Sequence, residues 1–235
     1  GGHSASSLIL AQASFKSNPE KLNALFLSDK SPLFLALSPQ NYNKSIEKMI
    51  CVVKSLLQAG LCLDCSDVHG NTLLMTAIGR CHRIQDFSEL DVLVAAGADV
   101  NVTNKDGESP LMFACQIAEP DAVHLLLHQG ANPNKQNNRK QTALHMLGRK
   151  TPFISDQWVQ CLISLLQADV DVNLCDLNGE TALFEFFRRE RNEYACEHIL
   201  DLFLSKKIDL NIQNHHGETI LFEIVRQHAD REVLN

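Results

Sequence analysis

One short phrase returns six times along the chain: "SPLFLA", "TLLMTA", "SPLMFA", "TALHML", "TALFEF" and "TILFEI", starting at Ser31, Thr72, Ser109, Thr142, Thr181 and Thr219. The intervals are 41, 37, 33, 39 and 38 residues. Self-similarity at such a period marks a stacked array, because a unit of this size cannot bury its own apolar face and must lean on a neighbour. No other feature of the chain restricts its fold as strongly.

Within each interval the same local signals follow in order. The Ser or Thr suits a helix N-cap, with inward apolar residues after it. Pro32 and Pro110 follow the cap directly, where a missing backbone N–H costs nothing. A second helix carries paired apolar residues at Leu56-Leu57, Leu93-Val94, Leu126-Leu127, Leu165-Leu166 and Phe203-Leu204. Gly60, Gly97 and Gly130 then stand where the chain leaves that helix and a left-handed residue is favoured. An Asp/Asn-rich stretch such as "SDVHG", "NKDG", "CDLNG" or "QNHHG" suits a tight hairpin-like loop before the next cap.

The segments "GADVNVTNKDGESPLMFACQ" and "GANPNKQNNRKQTALHML" resemble ankyrin repeats, and the resemblance extends over 27–235. It implies an all-α solenoid of about six helix-turn-helix units with projecting loops, starting near 26, 67, 104, 137, 176 and 214. Residues 5–26 are expected to form an N-terminal helical cap, and 1–4 ("GGHS") read as a cloning remnant. The last repeat stops inside its second helix at Asn235, so the chain reads as a piece of a longer protein. Several units depart from the family pattern. Only the third has the usual length, while "SPQNYNKS", "GRCHRIQDFS", "GRKTPFISDQ" and "RRERNEYA" lengthen the helix-to-helix links of the others. Asp169 and Lys207 replace the turn glycine, each at about 1 kcal/mol if the backbone there stays left-handed. The family's histidine after the cap survives only as His145.

Composition narrows the function. The formal net charge of −7 disfavours wholesale binding of nucleic-acid phosphates. No apolar run reaches the 18 or so residues that span a bilayer. "SLILAQASF" is short and lacks the basic flank of a secretory signal, which points to the cytoplasm or nucleus. The eight cysteines are scattered along the repeats, and most of them read as small buried hydrophobes in a reducing compartment.

The chain carries no phosphate loop, nucleophile elbow or paired-histidine metalloprotease motif, so neither enzyme chemistry nor a cofactor is expected. Cys62-x-x-Cys65 with Cys81-His82 has zinc-like spacing, but its register places both leading cysteines in a repeat turn. His215-His216 sits at a loop tip and Trp158 at the start of a second helix.

The family resemblance implies recognition on a concave side, lined by loop tips and one face of each first helix. On that face, positions four, seven and eight after the cap coincide. They offer apolar Phe113, Ile117 and Met146 bordered by Arg80, Arg149 and Lys150, then Arg188, Arg189 and Arg226 further on. Phe113 and Met146 suit either a partner's anchor pocket or ordinary packing between units. Arg149 and Lys150 suit either a partner's carboxylates or a helix C-terminus. Glu185 with Arg189 and Glu223 with Arg226 suit intrahelical pairs. Loop tips His69, Lys105, Arg139 and Lys140 complete the candidate contacts. The expected role is a monomeric interaction module for a protein or peptide with apolar anchors and acidic residues, serving as adaptor within a larger protein. The alternatives are the regulatory segment of a multidomain enzyme such as a ubiquitin ligase, or nucleic-acid binding through the arginines. Asn101, Asn134 and Asn173, each eight residues after a leucine, resemble the ankyrin asparagines that undergo β-hydroxylation. The Asp169 turn would make Asn173 react before Asn134.

Overall fold

Each Ser or Thr of the recurring phrase must satisfy orphan N–H groups at a helix start, and the computed structural model places Thr72, Ser109, Thr142, Thr181 and Thr219 at helix starts. It describes residues 63–64, 66–84, 87–149, 155–189 and 193–226. The expected N-terminal cap, the first repeat, Cys62, Cys65, Lys150 and the second helix of the last repeat lie outside the described residues. The chain divides into two compact units, Gly1–Lys105 and Asp106–Asn235. The described residues are helical throughout, with isolated bridges Ser66 to Thr72 and Cys175 to Thr181 in place of strands.

The first unit contains α1 (Leu73–Ile84) and α2 (Ser88–Ala95), packed together. Thr72 Oγ1 accepts the Met75 N–H at 3.4 Å, the capping contact its position implies. Part of the long link expected in this repeat is helix, since α1 continues for twelve residues to Ile84. Arg80, eight residues after the cap, reaches the α1–α2 contact. Its guanidinium meets Glu89 at 2.5 and 3.1 Å, and only 3% of Arg80 is exposed. Arg80 is therefore not a surface residue bordering a groove, as its helical position suggested, but half of a buried ion pair.

The second unit contains α3 (Pro110–Ile117), α4 (Pro120–His128), α5 (Ala143–Arg149), α6 (Asp156–Gln167), α7 (Ala182–Arg189) and α8 (Glu193–Leu204), followed by a helical segment over 220–226. First helices pack on first helices, α3 on α5 and α5 on α7, while α4 packs on α6 and α6 on α8. Ser109 caps α3 by accepting the Met112 N–H, with Pro110 at the first helical position. Ser155 caps α6 in the same way through Trp158 N–H. Trp158, Phe186 and Phe203 form a buried edge-to-face series with centroids 5.3 and 5.2 Å apart. The Trp158 Nε1–H donates to the Leu147 carbonyl at 3.1 Å. Gly148 lets α5 approach this series, because a Cβ there would lie 2.8 Å from the Phe186 ring. Cys115 and Cys161 are buried in the same interior; burial raises both thiols, Cys161 to about 12, and keeps them protonated.

Helix exits come in two kinds. After α2 and α4 a left-handed glycine closes a double carbonyl cap: Gly97 N–H to Val94 and Ala98 N–H to Leu93, then Gly130 N–H to Leu127 and Ala131 N–H to Leu126. After α6 and α8 no left-handed residue occurs among the described residues. The chain instead leaves through Val170 N–H to Ala168 O and Ile208 N–H to Lys206 O, both 2.8 Å. Asp169 and Lys207 thus escape the strain expected of non-glycine residues in that turn.

The projecting loops share one construction. Asp67, Asn137, Asp176 and Asn214 each accept two backbone N–H groups of their own loop through one side-chain oxygen. Successive loops are joined by one backbone bond: Lys105 N–H to His69 O in the first unit, and Asn138 to Asp106, Leu177 to Arg139 and His215 to Asn178 in the second. The fourth loop position is left-handed throughout, in Gly70, Gly107, Gly179 and Gly217, and in Lys140 at φ 56°. Ala118, which closes the short link between α3 and α4, is left-handed at φ 57°. Both Lys140→Gly and Ala118→Gly are expected to stabilise the second unit by about 0.5–1 kcal/mol, read as a rise in the urea midpoint without a change in slope.

His145 is fixed in one tautomer. The Thr142 backbone N–H donates to its Nδ1 at 3.2 Å, so the proton sits on Nε2 and is given to the Glu180 carbonyl at 3.1 Å. Burial pushes the imidazole below its ordinary 6.5, against the opposing pull of Glu180 and Asp176. The unfolded chain takes up a proton below about pH 6.5 that the folded one refuses. Stability is therefore complete above that pH and is lost as pH falls toward the lowered folded value. Melting temperatures between pH 8 and pH 5 should decline less steeply in His145→Gln, which removes this titration.

Candidate functional site

The rigid loops and first helices of the third and fourth repeats enclose an open groove of about 560 Å³ in the second unit. Asp106, Glu108, Asn138 and Arg139 reach it from the loops, and Gln116, Met146 and Arg149 from α3 and α5. Of the residues expected to bind a partner, the groove brings together Met146, Arg149 and Arg139. Met146 is 5% exposed and forms floor rather than a projecting anchor. Phe113 and Ile117 are half-buried on α3 and do not line the groove. Lys140 is exposed at the loop tip.

The arginines of this face are tied to the loops by a bond that helical spacing did not suggest. In the fourth, fifth and sixth repeats the residue before the cap reaches the residue seven after it. Glu180 takes Arg188 bidentately at 2.6 and 3.0 Å, a contact that holds the guanidinium above its ordinary range. Arg226 meets Glu218 at 4.0 Å and also bonds Glu223, as its i,i+3 spacing implied. The side chain of Arg189, expected to pair with Glu185, lies outside the described residues. In the fourth repeat the same place before the cap holds a neutral amide: Arg149 Nη1 donates to Gln141 Oε1 at 3.0 Å. Among the described residues Arg149 is positioned by an amide and meets no carboxylate. The third repeat reverses the pattern, with Glu108 before the cap and Gln116 after it. The groove therefore has acidic groups from the third repeat and basic groups from the fourth. The recurring spacing from 108 to 116, 141 to 149 and 180 to 188 was present in the sequence and could have found these residues.

The remaining candidates lie elsewhere. His69 and Lys105 belong to the first unit, where both are exposed and Lys105 Nζ donates to the Val68 carbonyl at 2.8 Å. Two of the candidate asparagines, Asn134 and Asn173, direct their side chains to the next repeat. Asn134 donates to the Asp169 carbonyl at 2.8 Å and accepts from Asp171 N–H at 2.7 Å. Asn173 does the same with Lys207 and Asp209, at 2.8 Å each. Asn101 lies in the first unit, its N–H on the Asp99 carboxylate at 2.8 Å. The clamps of Asn134 and Asn173 are equal, and the Asp169 turn is unstrained, so the ground for Asn173 reacting first is gone.

The profile of the family described as "Ankyrin repeats (3 copies)" matches residues 83–149. The chain is 33% identical over 110 residues to the transient receptor potential cation channel subfamily A member 1 of Drosophila melanogaster, covering 45% of this chain and 9% of that protein. It is 40% identical over 78 residues to protein fem-1 homolog C of Homo sapiens, covering 32% and 12%. It is 30% identical over 133 residues to the E3 ubiquitin-protein ligase KEG of Arabidopsis thaliana, covering 56% and 7%. The chain thus spans about a tenth of the length of these relatives. Among the described residues, no helix is long and apolar enough to cross a membrane. Repeating caps, bonded loops and layered helix pairs agree with these matches, which place ankyrin repeats in this chain, over residues 83–149 by the family model.

Proposed function

We propose that this chain is a non-catalytic protein-interaction module whose groove over 106–149 takes an extended acidic segment of a partner protein. The observation that carries the reading is the contrast between Arg188, neutralised by Glu180, and Arg149, which among the described residues is held by the neutral Gln141. A guanidinium oriented by an amide keeps its charge for an incoming carboxylate. Arg139, exposed on the adjoining loop, supplies a second cation at the groove edge. Lys150 extends the basic stretch in sequence, and Met146 gives a partner side chain an apolar floor. Tight pairing of Arg188 and Arg226 with glutamates argues against a continuous phosphate-binding stripe, and so against nucleic acid.

The module works as a monomer and as the recognition part of a larger protein, cytoplasmic or nuclear. Similarity to an E3 ubiquitin-protein ligase supports a role in presenting a protein to a catalytic domain elsewhere in such a chain. Asn101, Asn134 and Asn173 remain candidate hydroxylation sites, and reaction at the latter two requires opening the inter-repeat clamp. A one-oxygen mass gain on their peptides would register it.

Selection of a displayed random-peptide library on the whole chain tests the groove. Enriched peptides should carry Asp or Glu, and the enrichment should vanish on Arg149→Glu protein of unchanged melting temperature. Enrichment of basic peptides, or the same peptides on both proteins, would overturn the proposal.

A further inference from the structure

Helix α4 presents two imidazoles to solvent on the layer of second helices. His124 and His128 are both exposed, one turn apart, with ring centroids 6.5 Å apart and planes only 21° from parallel. Side chains at i and i+4 share one helix face, and histidines at this spacing are a recurrent bidentate arrangement for transition ions. Their backbone is held firmly. Ala122, Val123 and Leu126 bury the opposite face, Pro120 opens the helix, and Gly130 and Ala131 bond back onto Leu127 and Leu126 to close it.

We infer that His124 and His128 form a surface site for a divalent transition ion, Cu2+ before Zn2+. Modest side-chain rotation brings one nitrogen of each ring to about 2 Å from a common point, the usual metal–imidazole distance. Imidazole ligands select borderline ions, and among these the divalent series peaks at copper. Among the described residues no cluster of three metal-ligating side chains occurs. Water completes the coordination, which makes the site exchangeable rather than structural. The two nitrogens converge only when α4 is helical, so a bound ion favours the folded state. Neither the groove nor its arginines take part, and the site stands whether or not the groove binds peptide.

The test uses the whole chain with His3→Ala, which removes a histidine that competes for copper outside α4. Cu2+ is titrated while amide resonances are followed. Paramagnetic broadening should begin at His124–His128 and its immediate neighbours and saturate near one equivalent. Zn2+ should raise the melting temperature, and both effects should disappear in His124→Ala and in His128→Gln. Broadening that begins at His215-His216, or that persists unchanged in His124→Ala/His128→Gln, would overturn the site. So would the absence of any broadening in protein whose spectrum is otherwise folded.

Discussion

Trp158→Ala is expected to cost the second unit about 3–5 kcal/mol, among the largest effects of any single substitution in the chain. The side chain is 2% exposed, sits at the start of α6 and touches the Phe186 ring edge-on. Truncation opens a cavity the size of an indole between rigid helices and removes the donor that satisfies the Leu147 carbonyl. Trp158→Phe separates these contributions, since it keeps much of the ring contact and loses the hydrogen bond. It should cost about half as much or less. Urea unfolding followed by circular dichroism measures both, because Trp158 is the only tryptophan and its fluorescence is lost with it.

Glu89→Ala is expected to cost the first unit about 3–5 kcal/mol, because it leaves the Arg80 guanidinium buried without its carboxylate. The expected sign reverses for the pair. Replacing both partners with apolar residues, as in Arg80→Met with Glu89→Leu, removes the desolvation cost together with the attraction. It should leave stability near the starting value. A double-mutant cycle read by urea midpoints therefore gives a large coupling energy. Equal and additive losses would show that Arg80 is held by other contacts.

The repeat period and the Ser/Thr caps at Thr72 and Ser109 were legible because each depends on residues a few positions apart. So were the left-handed exits at Gly97 and Gly130. Side-chain partnerships across a loop or between helices were not. Arg80 looked like a groove residue, but its partner Glu89 comes from the second helix of the same repeat, nine residues on. Arg188 looked free of the loops because an i,i+8 contact from Glu180 has no meaning on a single helix; it exists only because the loop folds back beside α7. The amides of Asn134 and Asn173 reach the next repeat 35–37 and 34–36 residues on, partners that no local spacing shows. Lys140 hid its left-handed backbone behind an ordinary lysine, and only alignment with Gly107 and Gly179 reveals the position it occupies.

The central claim is that Arg149 binds because its partner in the fold is neutral, and Gln141→Glu tests it most directly. This change restores in the fourth repeat the arginine–carboxylate contact that Glu180 makes in the fifth, and alters the groove lining only at Gln141 itself. Fluorescence anisotropy with an acidic peptide enriched on the original chain should show affinity weakened roughly tenfold or more, the equivalent of one charge-assisted hydrogen bond. The melting temperature should hold or rise. Undiminished affinity for the acidic peptide in a folded Gln141→Glu protein would contradict the account.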